Sequence, residues 1–413
     1  MPATDNQPFP LAELAAISDA RYAWVALLLT PLAAGGQHDP DAAQGVQADH
    51  PFQAALTLLK TPGAFDLLAP LDIVVPVTAP ARLELAQLSS LPVNRVLLRV
   101  PAAACADPAA QKKLSAVADA GFRIMIEGVT AGPIATLCGA RALMMDAALH
   151  LPPVVALAGQ PGPHLASHMR SEARLQVCAQ AGFSWFTGDF ATNPERHGDG
   201  DNGSAGDGTT RKRLLALLGL LARDADTHEL ELLLKQDPSL SYHLLKLVNS
   251  AAFALSSPVH SFSQAINVLG RRQLQRWLQL LLYARQQDDG LPNPLLPLAA
   301  VRAAQMEALV ALQGGDRDRQ DMAFVTGVFS LLDVLLGMDM TEIVAALSLD
   351  LDVVMALLDR AGPLGDLLKL LDGGAQADAQ RRLALADAGI DAAAFWQTQL
   401  QAHQWALQVS RSL

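Results

Sequence analysis

Along the first half of the chain, short apolar runs alternate with longer, alanine-rich amphipathic stretches. Runs at 22–29, 72–77, 94–100, 122–126, 142–145, 153–157 and 183–186 have the length and flanking turn residues of strands. Between them, stretches such as 108–120 and 168–181 are long enough for crossover helices. Repeated strand–helix alternation predicts a parallel sheet covered by helices. About seven strands in roughly 200 residues suit a barrel better than a single dinucleotide-binding unit.

The period changes after residue 210. Helical spacing runs through 211–222, 227–235, 238–249, 263–285, 295–312, 319–337, 341–347, 351–359 and 391–409. No alternating strand intervenes, so a helical bundle is expected. Between the halves, the tract Gly198 to Gly208 is built of Gly, Asp, Asn, Ser and Ala; it buries almost nothing and reads as a flexible linker. Asp199, Asp201 and Asn202 hint at a calcium loop, but no amphipathic helix enters it and no Glu closes it at the right distance. The expected organisation is a barrel at 10–195, a linker at 196–210 and a helical domain at 211–413.

With 413 residues, 51% of them hydrophobic, the chain has apolar surface for more than one core. Its net charge of −11, from 30 Lys and Arg against 41 Asp and Glu, argues against a nucleic-acid partner. Cys105, Cys138 and Cys178 lie far apart without metal-ligand spacing, as expected of reduced, buried thiols in a cytosolic protein. The best candidate for a membrane span, Trp24–Leu29 continuing through Pro31 to Gly36, falls far short of the ~20 residues needed. It also lacks the basic flank of a signal peptide, so no span and a cytoplasmic location are expected.

One local pattern, from Asp237 to Gly270, stands out. Asp237 suits a helix cap and Pro238 the first helical position. Leu240, Leu244, Leu247 and Val248 then share a face, with Leu245, Asn249 and Ser250 in the same run, and Ala265-Ile266-Asn267-Val268-Leu269-Gly270 closes the stretch. This order of Asp-Pro-x-Leu, Leu-Leu-x-Leu-Val-Asn-Ser and Ala-Ile-x-x-Leu-Gly resembles the opening of HDOD domains. That resemblance implies an all-helical bacterial signalling module, related to HD phosphohydrolases but without their metal ligands. The only His-Asp dipeptide, His38-Asp39, indeed lies in the other half, and His228, His243, His260 and His403 have no adjacent Asp. Later stretches, 301–307 and 323–333, continue the likeness; Gly327 is expected to permit close helix approach. Arg271, Arg272 and Arg276 are read as a solvated helix face in preference to a nucleic-acid or acidic-partner contact. Asn249 and Asn267 are expected to satisfy backbone groups.

The close of the first half carries a second likeness. His164 to Glu172, then Ala181-Gly182-Phe183 to Asp189-Phe190, and Asn193-Pro194 resemble the end of an EAL domain, with Leu-Ala-Glu-x-Val-Glu, a helix, Gly-Phe-x-x-x-Gln-Gly and Pro. The resemblance covers about residues 15–194. It implies a barrel phosphodiesterase that cleaves cyclic di-GMP with two carboxylate-held metal ions. Position by position, the acids are depleted. The Glu of Glu-Ala-Leu falls on Val25, and a later strand Glu on Arg99. The Asp-Asp pair becomes Glu127-Gly128, and Lys-x-Asp becomes Met144-Met145-Asp146. The two closing Glu positions hold Ser167 and Arg170, and the Gln position holds Thr187. Two-metal hydrolysis needs clustered carboxylates, and Glu127 and Asp146 are read as structural.

The expected fold class is therefore α/β plus all-α: a degenerate EAL-type (β/α) barrel followed by an HDOD-type helical bundle. The expected function is a non-catalytic adaptor, an inactive homologue of a cyclic di-GMP phosphodiesterase, with no cofactor and no metal. It acts through an unidentified protein partner bound by the HDOD domain, and the resemblance implies cyclic di-GMP-linked regulation of motility, biofilm or stress behaviour. Two alternatives stand beside it: a non-catalytic receptor that grips cyclic di-GMP through Arg99 or Arg170, and residual metal-dependent phosphodiesterase activity.

Overall fold

The computed structural model describes residues 8–32, 50–128, 131–149, 157, 159–193, 216, 219–220, 226, 229, 248–249, 259, 264, 270–283, 291–347, 349–372 and 378–412. Two compact units form. One comprises Met1–Asn193, Gly374–Asp387 and Asp391–Gln397; the other comprises Pro194–Gly373, Ala388–Ile390 and Thr398–Leu413. The expected linker lies outside the described residues.

In the first unit, strands close a barrel in sequence order: β1 Ala12–Ser18, β2 Trp24–Pro31, β3 Asp72–Pro76, β4 Val96–Pro101, β5 Arg123–Glu127, β6 Ala142–Asp146, β7 Leu165–Ser167 and β8 Trp185–Phe186. Strands β2 to β8 pair in parallel, whereas β1 is antiparallel to both β2 and β8. The expected parallel sheet is thus present in β2 to β8, with β1 added antiparallel. The β1 sequence, Ala-Glu-Leu-Ala-Ala-Ile-Ser, favours helix by local preference. It becomes a strand because it fills the gap between β2 and β8, leaving no open edge. Of the expected strand 153–157 only Leu157 is described, and it is helical.

Helices α1 His50–Leu59, α2 Ala64–Leu67, α3 Leu85–Leu88, α4 Pro108–Asp119, α5 Ala131–Leu137 and α6 Glu172–Gln180 connect the strands. Their starts follow capping chemistry. Asp107 accepts from the amide of Ala109 at 2.9 Å with Pro108 in the first turn of α4, and Ser171 accepts from Arg174 at the start of α6.

Ile17, Ala26, Leu28, Val74, Leu97, Met125, Ala142, Met144, Leu165 and Trp185 pack as one buried cluster. Their every-second-residue spacing marks the lumen rows. Cross-strand pairing sets Arg99 beside Met125, Glu127 beside Met144, and Asp146 beside Ser167. The polar residues therefore continue these inward rows beyond the apolar plug, toward the strand ends. Each large side chain in that plug contributes roughly 1.5–3 kcal/mol by leaving water, so polar groups are confined to its rim.

The second unit is helical: α7 Arg271–Leu281, α8 Leu295–Leu312, α9 Arg317–Phe329, α10 Leu332–Leu336, α11 Met340–Ala345, α12 Leu351–Asp359 and α13 Gly362–Leu371 are described, followed along the chain by α14 Asp378–Asp387 and α15 Ala392–Ser412. The expected helix 319–337 is split at Ser330, whose hydroxyl donates to the carbonyl of Gly327 at 2.8 Å. Helices α13 and α14 were hidden by Gly362, Pro363 and the Gly373-Gly374 pair, which read as breakers. Pro363 instead sits in the first turn of α13, where its missing amide costs nothing.

Of the HDOD signature, Asp237, Pro238, Leu240, Leu244, Leu245, Ser250, Ala265 and Leu269 lie outside the described residues, as does Asn267. Asn249 is described, and it does what was expected. Its side chain accepts from the amide of Val259 at 2.6 Å and donates to that residue's carbonyl at 2.8 Å. Gly270 directly precedes α7 with φ of 73°, a conformation suited to glycine. Arg272 and Arg276 are not a simple solvated face. Arg272 pairs with Asp321 at 2.6 Å; Arg276 pairs with Glu307 and Asp321 and lies 4.6 Å over the ring of Phe324.

Helix α8 is long and apolar enough to cross a bilayer by length and composition, where no such segment was expected. Ala299, Ala303, Met306 and Leu309 on it are fully buried, and it packs along α9 as a core helix does.

The barrel unit also takes in α14 and the residues after it. Buried Arg381 pairs with Glu13 at 2.9 Å, and Arg382 donates to the carbonyl of Phe9 at 3.0 Å. Trp396, 1% exposed, donates from its indole to the carbonyl of Leu58 at 3.1 Å.

Candidate active site

Parallel barrels hold their chemistry at the carboxyl ends of the strands. Here those ends carry, on successive strands, Arg99 of β4, Glu127 of β5, Asp146 of β6 and Ser167 of β7, followed by His168. Arg99 Nη1 lies 3.7 Å from Glu127 Oε1, a loose pair with the guanidinium 19% exposed. His168 Nδ1 lies 3.2 Å from Asp146 Oδ2, while Asp146 Oδ1 accepts from the amide of Ala148 at 2.8 Å. Both carboxylate oxygens of Asp146 are thereby held. Ser167 donates to the carbonyl of Met145 at 3.2 Å and stands 3.5 Å from the same Nδ1.

The loop carrying His168 is tightly specified. His168 has φ of 54°, uncommon for a residue other than glycine. The next amide, of Met169, donates to the carbonyl of Thr187 at 3.0 Å. Gly188 lies against it so closely that a β-carbon there would be 2.2 Å from Met169 N, and its φ of 144° also requires glycine. Gly188 thus lets β8 press on the loop and hold the His168 backbone in place.

The other expected site residues divide. Val25 is the extra residue of a bulge, since Ile17 pairs with Ala26 and Ser18 with Trp24; it packs against the lumen cluster. Met144 belongs to the plug itself. Gly128 forms a bend with φ of 127°. The hydroxyl of Thr187 donates to the carbonyl of Ala16 at 2.8 Å, tying β8 to β1. Arg170 is exposed, and its carbonyl accepts from Asn193 at 2.7 Å. Sequence reasoning counted the acids lost from the motif and overlooked the imidazole gained at His168. The available signal was the Asp146 row ending beside a Ser-His pair.

The EAL likeness implies a pair of metal ions, and the donors among the described residues do not fit one. Among the described residues, no group of three or more His, Cys, Asp and Glu side chains converges to hold an ion. The two acids that remain are engaged by Arg99 and by His168. A thiol nucleophile is also unsuited: burial, with Cys138 beside it, pushes the Cys105 thiol up to about 12. Among the described residues at the strand ends, the groups left for chemistry are a guanidinium and an imidazole braced by a carboxylate.

Residues 211–335 match the HDOD domain. The chain is 30% identical over 257 residues to the cyclic di-GMP phosphodiesterase CdgJ of Vibrio cholerae, a match spanning 60% of this chain and 56% of that protein. That stretch is longer than everything after residue 210, so it reaches back into the barrel unit. The uncharacterized protein YuxH of Bacillus subtilis is 31% identical over 140 residues, 33% of this chain and 34% of that one. The chain spans only part of the curated relatives it matches. In shape, the barrel resembles EAL structures. One is the phosphodiesterase PaMucR in complex with c-di-GMP, at 14% identity and a TM-score of 0.35 over 44% of this chain and 89% of that one. Another is Klebsiella pneumoniae BlrP1 with calcium and the dinucleotide, at 16% identity and a TM-score of 0.35 over 44% of this chain and 54% of that one.

The match to CdgJ overturns the expectation of an inactive, non-enzymatic homologue, because the matched relative is named as a phosphodiesterase.

Proposed function

We infer that this is a cyclic di-GMP-linked signalling protein whose barrel mouth takes the dinucleotide's phosphodiester and whose HDOD segment passes the result to a protein partner. The observation that carries the reading is the row of strand-end groups, Arg99 beside Glu127 and His168 beside Asp146; in this reading Arg99 and His168 take the phosphate. An arginine fork and an imidazole match a phosphodiester's charge and its in-plane oxygens. The relative named as a cyclic di-GMP phosphodiesterase supports the choice of ligand. Residues 196–210 serve as the tether between the two parts in this reading. Three free, buried cysteines are consistent with a reducing cytoplasmic setting.

Calorimetric titration of the full chain with cyclic di-GMP tests the reading. Saturable heat with 1:1 or 1:2 stoichiometry, weakened at least tenfold in Arg99→Ala, is the expected result. No heat and no thermal shift at millimolar dinucleotide would remove it.

A further inference from the structure

We propose that the barrel mouth opens a ribonucleotide phosphodiester by carrying a proton on His168, using the substrate's own 2′-hydroxyl as nucleophile. The proposal rests on the preceding reading that cyclic di-GMP binds there, and adds the reaction class and the residue that performs it.

Hydrolysis by metal-activated water needs several anionic donors converging on ions, and the described residues offer no such group. Attack by a neighbouring 2′-hydroxyl makes smaller demands. It requires one group to take and return a proton, and positive charge beside the phosphorane oxygens. His168 meets the first requirement. Asp146 Oδ2 engages Nδ1 at 3.2 Å and is itself fixed through Oδ1 by the Ala148 amide, which leaves Nε2 for the substrate. The imidazole is 71% exposed, open to a ligand at the strand ends. Its backbone is held in an uncommon conformation by the Gly188–Met169 contact, the kind of strain that persists where a side chain must be aimed. Arg99 meets the second requirement, since the 3.7 Å pair with Glu127 leaves guanidinium donors free to turn toward phosphate.

The step balances without any co-reactant. The 2′-hydroxyl proton passes to His168 Nε2 as the 2′-oxygen bonds to phosphorus. The bond from phosphorus to the 5′-oxygen breaks, and that oxygen takes the proton back from the imidazolium. Asp146 acts as a positioning residue that fixes the ring's tautomer. The product is a linear dinucleotide ending in a 2′,3′-cyclic phosphate and a 5′-hydroxyl. It has the same mass as the substrate, whereas hydrolysis adds one water.

The full chain is incubated with cyclic di-GMP in excess EDTA, and products are separated by anion exchange and weighed by mass spectrometry. A retention shift without a mass change is expected. The 2′-O-methyl dinucleotide should bind and stay intact. His168→Gly, which relaxes the φ of 54°, should lower the rate by about 10²- to 10⁴-fold. Added imidazole should restore part of that loss, which a structural role would not allow. Binding without an isomeric product would overturn the proposal and leave the binding reading standing. So would a product one water heavier that needs manganese or magnesium, or an unchanged rate in His168→Gly. Failure to bind at all would remove both.

Discussion

Gly327 and Ala303 bring α9 and α8 into backbone contact: a β-carbon on Gly327 would lie 2.6 Å from Ala303 Cα and 2.7 Å from its nitrogen. Replacing that glycine sets two effects against each other. Alanine gains ~1 kcal/mol of helix propensity, but overpacking against backbone costs ~1–3 kcal/mol or more, and backbone cannot rotate away. Packing wins. Gly327→Ala should lower the denaturation midpoint of the helical unit, and Gly327→Val should lower it further; a raised midpoint in either variant would contradict the close approach.

Gly188 links fold to site in the same way. Its missing β-carbon is required by both the Met169 amide and its own backbone angle. Gly188→Ala should cost at least ~1–3 kcal/mol and, in whatever folded protein remains, weaken dinucleotide binding by displacing His168. Thermal melts and calorimetry on the same preparation separate the two effects.

His164 should make stability depend on pH. It is buried, its Nδ1 accepts from the Leu143 amide at 3.2 Å, and its Nε2 faces the carbonyl of Gln160 at 3.3 Å. Burial pulls its pKa below the ordinary value, although the bonds to the Gln160 and Leu157 carbonyls oppose the shift. Protonating Nδ1 would set two N–H groups against each other. Below about pH 6.5 the unfolded chain therefore takes a proton that the folded chain refuses. The contribution is complete above that pH, falls as pH drops toward the lowered folded value, and levels off beneath it. Denaturant melts between about pH 7 and 5 should show a shallower pH slope in His164→Asn than in the parent.

Trp396 anchors the late segment to the barrel unit through Leu58. Trp396→Phe keeps most of the apolar contact but removes the indole donor from the Leu58 carbonyl, which retains the Thr61 amide at 3.2 Å, a loss of about 0.5–1.5 kcal/mol. Arg381→Met, which leaves Glu13 alone, should also destabilise, while a chain cut at residue 195 should melt earlier and less cooperatively than the barrel within the full protein.

Much of the barrel was legible because buried parallel strands write themselves as short apolar runs: 72–77, 94–100, 122–126 and 142–145 all fall on strands within two residues at either end. In the helical part, the spacing at 295–312 and 351–359 coincides with α8 and α12. The failures have physical causes. β1 reads as helix-forming and becomes a strand only because the barrel must close. α13 begins with Gly-Pro, which local rules treat as a stop. Among site residues, Arg99, Glu127, Asp146 and Ser167 do share the strand ends, while Thr187 and Val25 serve the sheet itself. His168 escaped notice because its value lies in a partner 22 positions away, and spacing alone cannot register an interaction made by the barrel's curvature.

The attachment of Arg381 and Trp396 to the barrel unit also fixes an order of events on the ribosome. The last strand, Trp185–Phe186, is made roughly 190 residues before α14, which at 5–20 residues per second is roughly 10–40 s. Throughout that interval the nascent barrel has Glu13, Phe9 and the Leu58 carbonyl uncovered. The newborn domain must therefore wait in an incomplete form, and a chaperone that shelters those three positions during translation would be most needed in that window.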